Sequence, residues 1–261
     1  VSKVERAEAV ADDETLDAII EASDVVMVAR GDLGVEIGDA QLIAVQKHII
    51  ERARALNRAV ITATQMMESM ISSSLPTRAE VFDVANAVLD GTDAVMLSGE
   101  TAAGQFPVET VEAMVRVILG AEKHPQSVKK LDRDATQEVA IDQAVAQAVM
   151  FTANNMPGVH AIACMTETGS TPLLMSRYGA MLPIFALSPH INTLRKAALY
   201  RGVQPALFHT EDIAYEKTHA EAIKLLKEKE AIKTGDLVIT SRGDIANVRG
   251  GTNAMKIVEV E

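Results

Sequence analysis

Three short apolar runs, each cut off by a polar cluster and followed by helical spacing, restrict the fold most. Asp24–Ala29 (DVVMVA), Ala59–Thr64 (AVITAT) and Ala94–Leu97 (AVML) are too short for helices and show no alternation, as strands buried on both faces do. The first stops at Arg30-Gly31-Asp32, the second in Thr62-Ala63-Thr64-Gln65, the third at Ser98-Gly99-Glu100-Thr101. Apolar residues from Leu42 to Ala53 fall on one helical face. Pro76-Thr77-Arg78-Ala79-Glu80 carries a capping box that opens a helix running to about Leu89, and Pro107 to about Glu122 reads as another. Strand, polar tip, helix, three times over, predicts a parallel βα array whose polar tips share one rim. In βα-barrels that rim carries the chemistry.

Between His124 and Glu138 the pattern dissolves into Pro, Lys, Asp and Gln. This predicts a first domain over residues 1–122, a linker over 123–138 and a second α/β domain over 139–261. In the second, helix 140–154, strand 160–165 and a helix from Pro172 precede strand 183–187, helix 192–200 and strand 203–208. Helix 214–229 and strands 236–240 and 255–260 close it. These units are too few and irregular for another barrel, so an open sheet with helices on it is expected. The fold class is α/β: a partial (β/α)8 barrel of three βα units, then an open-sheet domain.

Composition narrows the partners. A net charge of −11 argues against nucleic acid or an anionic membrane. The single cysteine, Cys164, excludes an intrachain disulfide and fits a reducing, cytoplasmic setting. The chain opens on Val1, and its first residues read as the end of a strand, so a piece of something longer is expected.

Lys3 and Glu5, two apart on an extended segment, point to the same face. With Asp32 they set two carboxylates and an ammonium on one rim. Two hard oxygen donors suit Mg²⁺, and an ammonium suits charge developing in phosphoryl transfer or enolate formation. The plain alternatives are a surface salt bridge at Lys3 and a helix-capping turn at Asp32. In the second domain Thr166-Glu167-Thr168-Gly169-Ser170-Thr171 joins strand to helix with four hydroxyls and one glycine. It reads either as a phosphate cradle or as an ordinary capping turn, and Glu167 would oppose a phosphate. Arg242-Gly243-Asp244 through Arg249-Gly250-Gly251-Thr252-Asn253 could supply a facing loop. Met66, Met67 and Met70 read as packing, the six histidines have no metal spacing, and Cys164 sits in an apolar strand.

Several segments in series resemble pyruvate kinase. They are Ser2-Lys3-Val4-Glu5-Arg6-Ala7-Glu8, Met27 through Glu36, Ala63-Thr64-Gln65-Met66, Pro76 through Glu80, Asp83 through Gly91, and Met96-Leu97-Ser98-Gly99-Glu100-Thr101. The likeness is strong to about residue 122 and looser afterwards, where the chain is similar to the family's C-terminal regulatory domain. The resemblance implies phosphoryl transfer from phosphoenolpyruvate to ADP, giving pyruvate and ATP. It implies Lys3 and Thr64 as catalytic, with Lys3, Gly31, Asp32 and Thr64 touching substrate. Glu5 and Asp32 would hold Mg²⁺ or Mn²⁺, and the ligands for K⁺ would lie outside this chain. Thr166, Thr168, Gly169, Ser170 and Thr171 would bind a phosphorylated activator, and a homotetramer is implied. The family's earlier strands and lid are missing, so the isolated chain is expected to be inactive. Two other readings stay open: a non-catalytic effector-binding or oligomerisation module, and a metal-dependent aldolase acting on a pyruvate enolate.

Overall fold

The computed structural model describes residues 1–124, 139–179, 182–210, 213–244 and 251–261. Most of the expected linker, residues 125–138, lies outside them. Contacts divide the chain into Val1–Ser127 and Val128–Glu261.

Unit 1 runs β1 (Ser2–Val4), α1 (Asp13–Glu21), β2 (Val25–Ala29), α2 (Arg30–Ile37), α3 (Asp39–Ala55), β3 (Ala59–Ala63), α4 (Arg78–Asp90), β4 (Ala94–Met96), α5 (Gly99–Ala102) and α6 (Pro107–Glu122). Its four strands lie in the order β1-β2-β3-β4, all parallel. The opening residues, expected as the end of a strand, pair with β2 beside the three apolar runs. The sheet is open, not closed on itself.

Register explains how the sheet sorts its side chains. Val4 pairs with Val28, and Val26 with Val60. These valines face the helices and form a core with Leu16, Ile20, Leu33, Ile49, Ile50 and Ala53, all fully buried. The next residue along each strand points the other way. Lys3 pairs with Met27, Met27 with Ile61, Ala29 with Ala63 and Ala63 with Met96, so Lys3 shares its face with small and flexible apolar residues.

The expected capping box is present at the start of α4. Glu80 N–H donates to Thr77 Oγ1, and the Glu80 carboxylate accepts from Thr77 N–H at 2.7 Å. The same carboxylate also receives Ser69 N–H and Ser69 Oγ, each at 2.6 Å, tying the segment after β3 to this helix.

Unit 2 runs α7 (Ile141–Asn155), β5 (Val159–Met165), α8 (Ser170–Tyr178), β6 (Ile184–Ser188), α9 (Ile191–Ala197), β7 (Val203–Leu207), α10 (Thr218–Glu228), β8 (Leu237–Gly243) and β9 (Thr252–Glu259). The strand order is β7-β6-β5-β8-β9, parallel except for antiparallel β9. An open-sheet α/β unit was expected and is found. Three details differ. The long expected helix from Ala214 begins as a tight 3₁₀ turn, Tyr215–Lys217, before α10. Helix α8 starts at Ser170 because Pro172, lacking an N–H, is tolerated in a first turn. Arg242 and Gly243, expected in a loop, still pair with Ala254 and Thr252 across β8 and β9, while 245–250 lie outside the described residues. Among the described residues no helix is long and apolar enough to cross a membrane.

The Glu80 bonds give a pH test. Burial pushes its carboxyl up, but the bonds from Ser69 and Thr77 outweigh that and hold it below the ordinary value. A depressed carboxyl adds stability above its unfolded value, which is lost as pH falls through the folded one. Urea unfolding should therefore show a loss on acidification that Glu80→Gln flattens. At neutral pH, Thr77→Ala should cost about 1 kcal/mol.

Candidate functional sites

Parallel strands bring the polar tips of β1 to β4 to one rim. Lys3 Nζ lies 3.5 Å from Glu5 Oε2, with the Lys3 side chain 56% exposed and Glu5 33%. Strand β2 passes into α2 without a loop: Ala29 ends the strand and Arg30 begins the helix. Asp32 is exposed in the first turn of that helix, with Gly31 half-buried before it.

Arg30 turns inward and is only 5% exposed. Its Nη1 donates to Asp83 Oδ1 and Oδ2 at 2.8 and 2.7 Å. Its Nε reaches the carbonyls of Ala63 and Thr64 at 3.2 Å, and Nη2 donates to Thr64 O at 2.5 Å. These bonds hold the end of β3 where the backbone is unusual: Thr64 and Gln65 have φ of 68° and 56°. A β-branched residue there is strained. The bend aims Thr64 Oγ1 at Gly31 N–H, which donates to it at 2.9 Å.

A second buried charge fixes the neighbouring tip. Glu100, 2% exposed, accepts from Ser98 N–H at 2.7 Å and Met67 N–H at 3.2 Å, joining the segments after β3 and β4. Met66, Met67 and Met70 are fully buried with Val84 and Ala87, the packing role expected of them.

The structure thus brings Lys3 to Glu5 and Thr64 to Gly31, with Asp32 on the same rim. Sequence reading missed Asp83 and Glu100. Asp83 carried no local signal for its partner, which stands 53 residues earlier in the chain.

In unit 2 a cavity of about 200 Å³ opens where β5 to β8 end. After β5 the chain builds β6 and β7 on one side, then crosses to place β8 on the other. The cavity therefore stands at the reversal of strand order, where open α/β sheets take ligands. Thr166, Thr168, Ser170 and Thr171 line it, beside Arg242, Gly243 and Thr252. Gly169 does not line it but shapes the turn: its φ is 82°, its N–H donates to Thr166 Oγ1 at 2.9 Å, and an added Cβ would stand 3.4 Å from Tyr200 Oη. Thr171 Oγ1 bonds Thr252 Oγ1 at 2.7 Å in the interior. Glu167 and Asp244 also line it, and their charge would oppose an anion; Glu167 bonds His190 Nε2 at 2.7 Å. Cys164 is buried, which pushes its thiol up to about 12, so it is an inert core residue.

The Arg30–Asp83 pair yields a measurable cost. Asp83→Ala would leave a buried guanidinium without its carboxylate, typically a loss of ~3–5 kcal/mol. The Asp83 side chain is 25% exposed, so about 3 kcal/mol is expected from urea unfolding of the chain.

Comparison with known proteins agrees across the whole length. Residues 1–111 match the family profile "Pyruvate kinase, barrel domain", and residues 143–258 match "Pyruvate kinase, alpha/beta domain". Pyruvate kinase II of Salmonella typhimurium is 58% identical over all of this chain and 54% of its own length. A pyruvate kinase of Haemophilus influenzae is 60% identical over 93% of this chain and 51% of its own length. A crystal structure of a pyruvate kinase from Cryptosporidium parvum superposes with a TM-score of 0.84 at 38% identity, covering 100% of this chain and 51% of that one. The chain spans about half the length of the curated relatives it matches. The chain belongs to the pyruvate kinase family.

Proposed function

We propose that this chain supplies the C-terminal part of an enzyme that moves a phosphoryl group from phosphoenolpyruvate to ADP. The observation that carries this is the shared rim: Lys3 beside Glu5 at the end of β1, and Thr64 bonded to Gly31 at the ends of β3 and β2. In this reading the sheet of unit 1 is one arc of a (β/α)8 barrel. The domain limits are residues 1–122 and 139–261, with 123–138 between them.

The chemistry follows from what each group can do. The Lys3 ammonium balances charge on the transferring phosphoryl group and on the enolate left behind. The amides at Gly31 and Asp32, in the first turn of α2, receive the substrate's carboxylate. For this the Gly31 N–H exchanges its bond with Thr64 for one to substrate. Thr64 Oγ1, held by the bent backbone, stands where the enolate carbon is protonated. A hydroxyl is too weak an acid to act alone, so it relays a proton through water. The donor set fits a hard divalent cation such as Mg²⁺ or Mn²⁺. Glu5 and Asp32 give two carboxylates from neighbouring strand ends, both open enough to leave room for water and substrate oxygens. Bound there, the ion would neutralise negative charge on the phosphoryl and enolate oxygens. This reading places the ligands for K⁺ elsewhere in the enzyme, and the whole as a cytoplasmic homotetramer.

The cavity of unit 2 is read as the site of a phosphorylated activator. Its position at the strand reversal, its hydroxyls and Arg242 support that.

Fused behind the N-terminal part of the Salmonella pyruvate kinase II, the chain should form ATP from phosphoenolpyruvate and ADP. Lys3→Ala in that fusion should lower the rate by ~10²–10³. An inactive but folded fusion, or full activity in the Lys3 variant, would overturn the assignment.

Binding of a sugar phosphate to the chain, followed by calorimetry, tests the cavity. The Thr168→Ala, Ser170→Ala double variant should weaken it at least ~10-fold, as loss of two hydrogen bonds to a charged group implies. Unchanged binding would return the loop to a capping turn.

A further inference from the structure

We infer that an anion entering the unit-2 cavity is taken up together with a proton on His219. This rests on reading the cavity as an anion site and adds to it a linkage between occupancy and pH. His219 stands in the first turn of α10, next to Thr218, which lines the cavity. Its Nδ1 lies 2.8 Å from Thr240 Oγ1 on β8, and that oxygen also lies 3.2 Å from Lys256 O on β9. A hydroxyl carries a single hydrogen. If Thr240 gives it to the Lys256 carbonyl, its oxygen is left to accept from Nδ1–H. That bond holds for the neutral Nδ1–H ring and for the imidazolium alike, so a proton added at Nε2 does not break it.

The surroundings oppose that charge. Two residues beyond Thr240 on the same face of β8 is Arg242, buried and lining the cavity. Burial first, then Arg242 and Lys256, hold the imidazole below its ordinary value. The other charged groups near it in sequence do not redress this. Glu216 and Lys217, in the turn before it, are exposed and opposite in sign, and Glu221 on its own helix pairs with Lys224 at 3.7 Å. Positive charge in a helix's first turn is unfavourable as well. Of these terms only the Arg242 field faces the cavity, whose lining also carries the carboxylates of Glu167 and Asp244. An anion drawn to Arg242 cancels that field, and a proton added at Nε2 leaves the bond to Thr240 in place.

The sign is fixed by linkage. Binding raises the imidazole's proton affinity, so the anion binds more tightly as pH falls through the window between the free and bound titration midpoints. Cancelling part of one like-charge field in a half-solvated setting implies a shift of about half a unit, or about threefold in affinity.

The test uses the full chain and sulfate, which does not titrate in this range. Histidine ring resonances are followed by NMR across pH, with and without saturating sulfate, His219→Gln identifying the resonance. The expected result is an upward move of the His219 midpoint, with sulfate affinity rising about threefold on acidification. That rise should vanish in His219→Gln and persist in His190→Gln. If the Ser170 and Thr171 amides respond to sulfate but the His219 midpoint stays fixed, the linkage is wrong and the anion site stands. If neither responds, both fail.

Discussion

One guanidinium, that of Arg30, sets the geometry on which the rim of unit 1 depends. It sits where β2 becomes α2, yet its bonds go to the end of β3 and to Asp83 on α4. A buried cation is costly unless every donor is used, and here the fork is spread over two carbonyls and a carboxylate. Three elements that meet nowhere in the sequence are thereby fixed to one another. The left-handed backbone at Thr64 and Gln65 persists because those carbonyls are held from outside. Glu100 repeats the arrangement with opposite sign, a buried carboxylate gathering amides from the segments after β3 and β4. Strand alternation had already sorted the side chains, with valines towards the helices and Lys3 on the other face.

Unit 2 reaches a binding cavity by another route. Sheet topology makes it. Strand order reverses beside β5, the strand ends diverge, and a hollow is left between the segments that follow β5 and β8. The polar groups around it then divide their work. Gly169 and Thr166 close the turn, Thr171 and Thr252 lock α8 to β9, and His190 bonds Glu167. Thr168, Ser170 and Arg242 face what remains, together with Asp244.

The sequence was most readable where structure is local. Apolar runs gave β2, β3 and β5, the Thr77–Glu80 spacing gave the start of α4, and hydroxyls around Gly169 marked the turn before α8. Pairing across long separations was not readable. Nothing local in Asp83 names Arg30, 53 residues earlier, as its partner, and nothing near Thr240 points back to His219. Strand β1 was read only as the end of a strand, because three residues carry too little pattern to say more. Arg242 and Gly243 looked like a loop because glycine usually ends a strand, whereas β9 returns to pair with them. The sites followed the same division: strand-tip spacing proposed Lys3, Glu5 and Asp32, the family resemblance added Thr64, and the groups that hold Thr64 in place came only with the coordinates.

Thr64 answers two demands that favour different residues. Its backbone, at φ of 68°, favours glycine, while its contact with Gly31 requires a side-chain acceptor. Glycine would meet the first demand and not the second, and the residue present meets the second. Replacing it with glycine would relax ~1–3 kcal/mol of backbone strain while erasing the group that faces the rim. Selection for thermal robustness and selection for turnover thus pull this position in opposite directions, and a screen that rewarded stability alone would drift away from the chemistry here first.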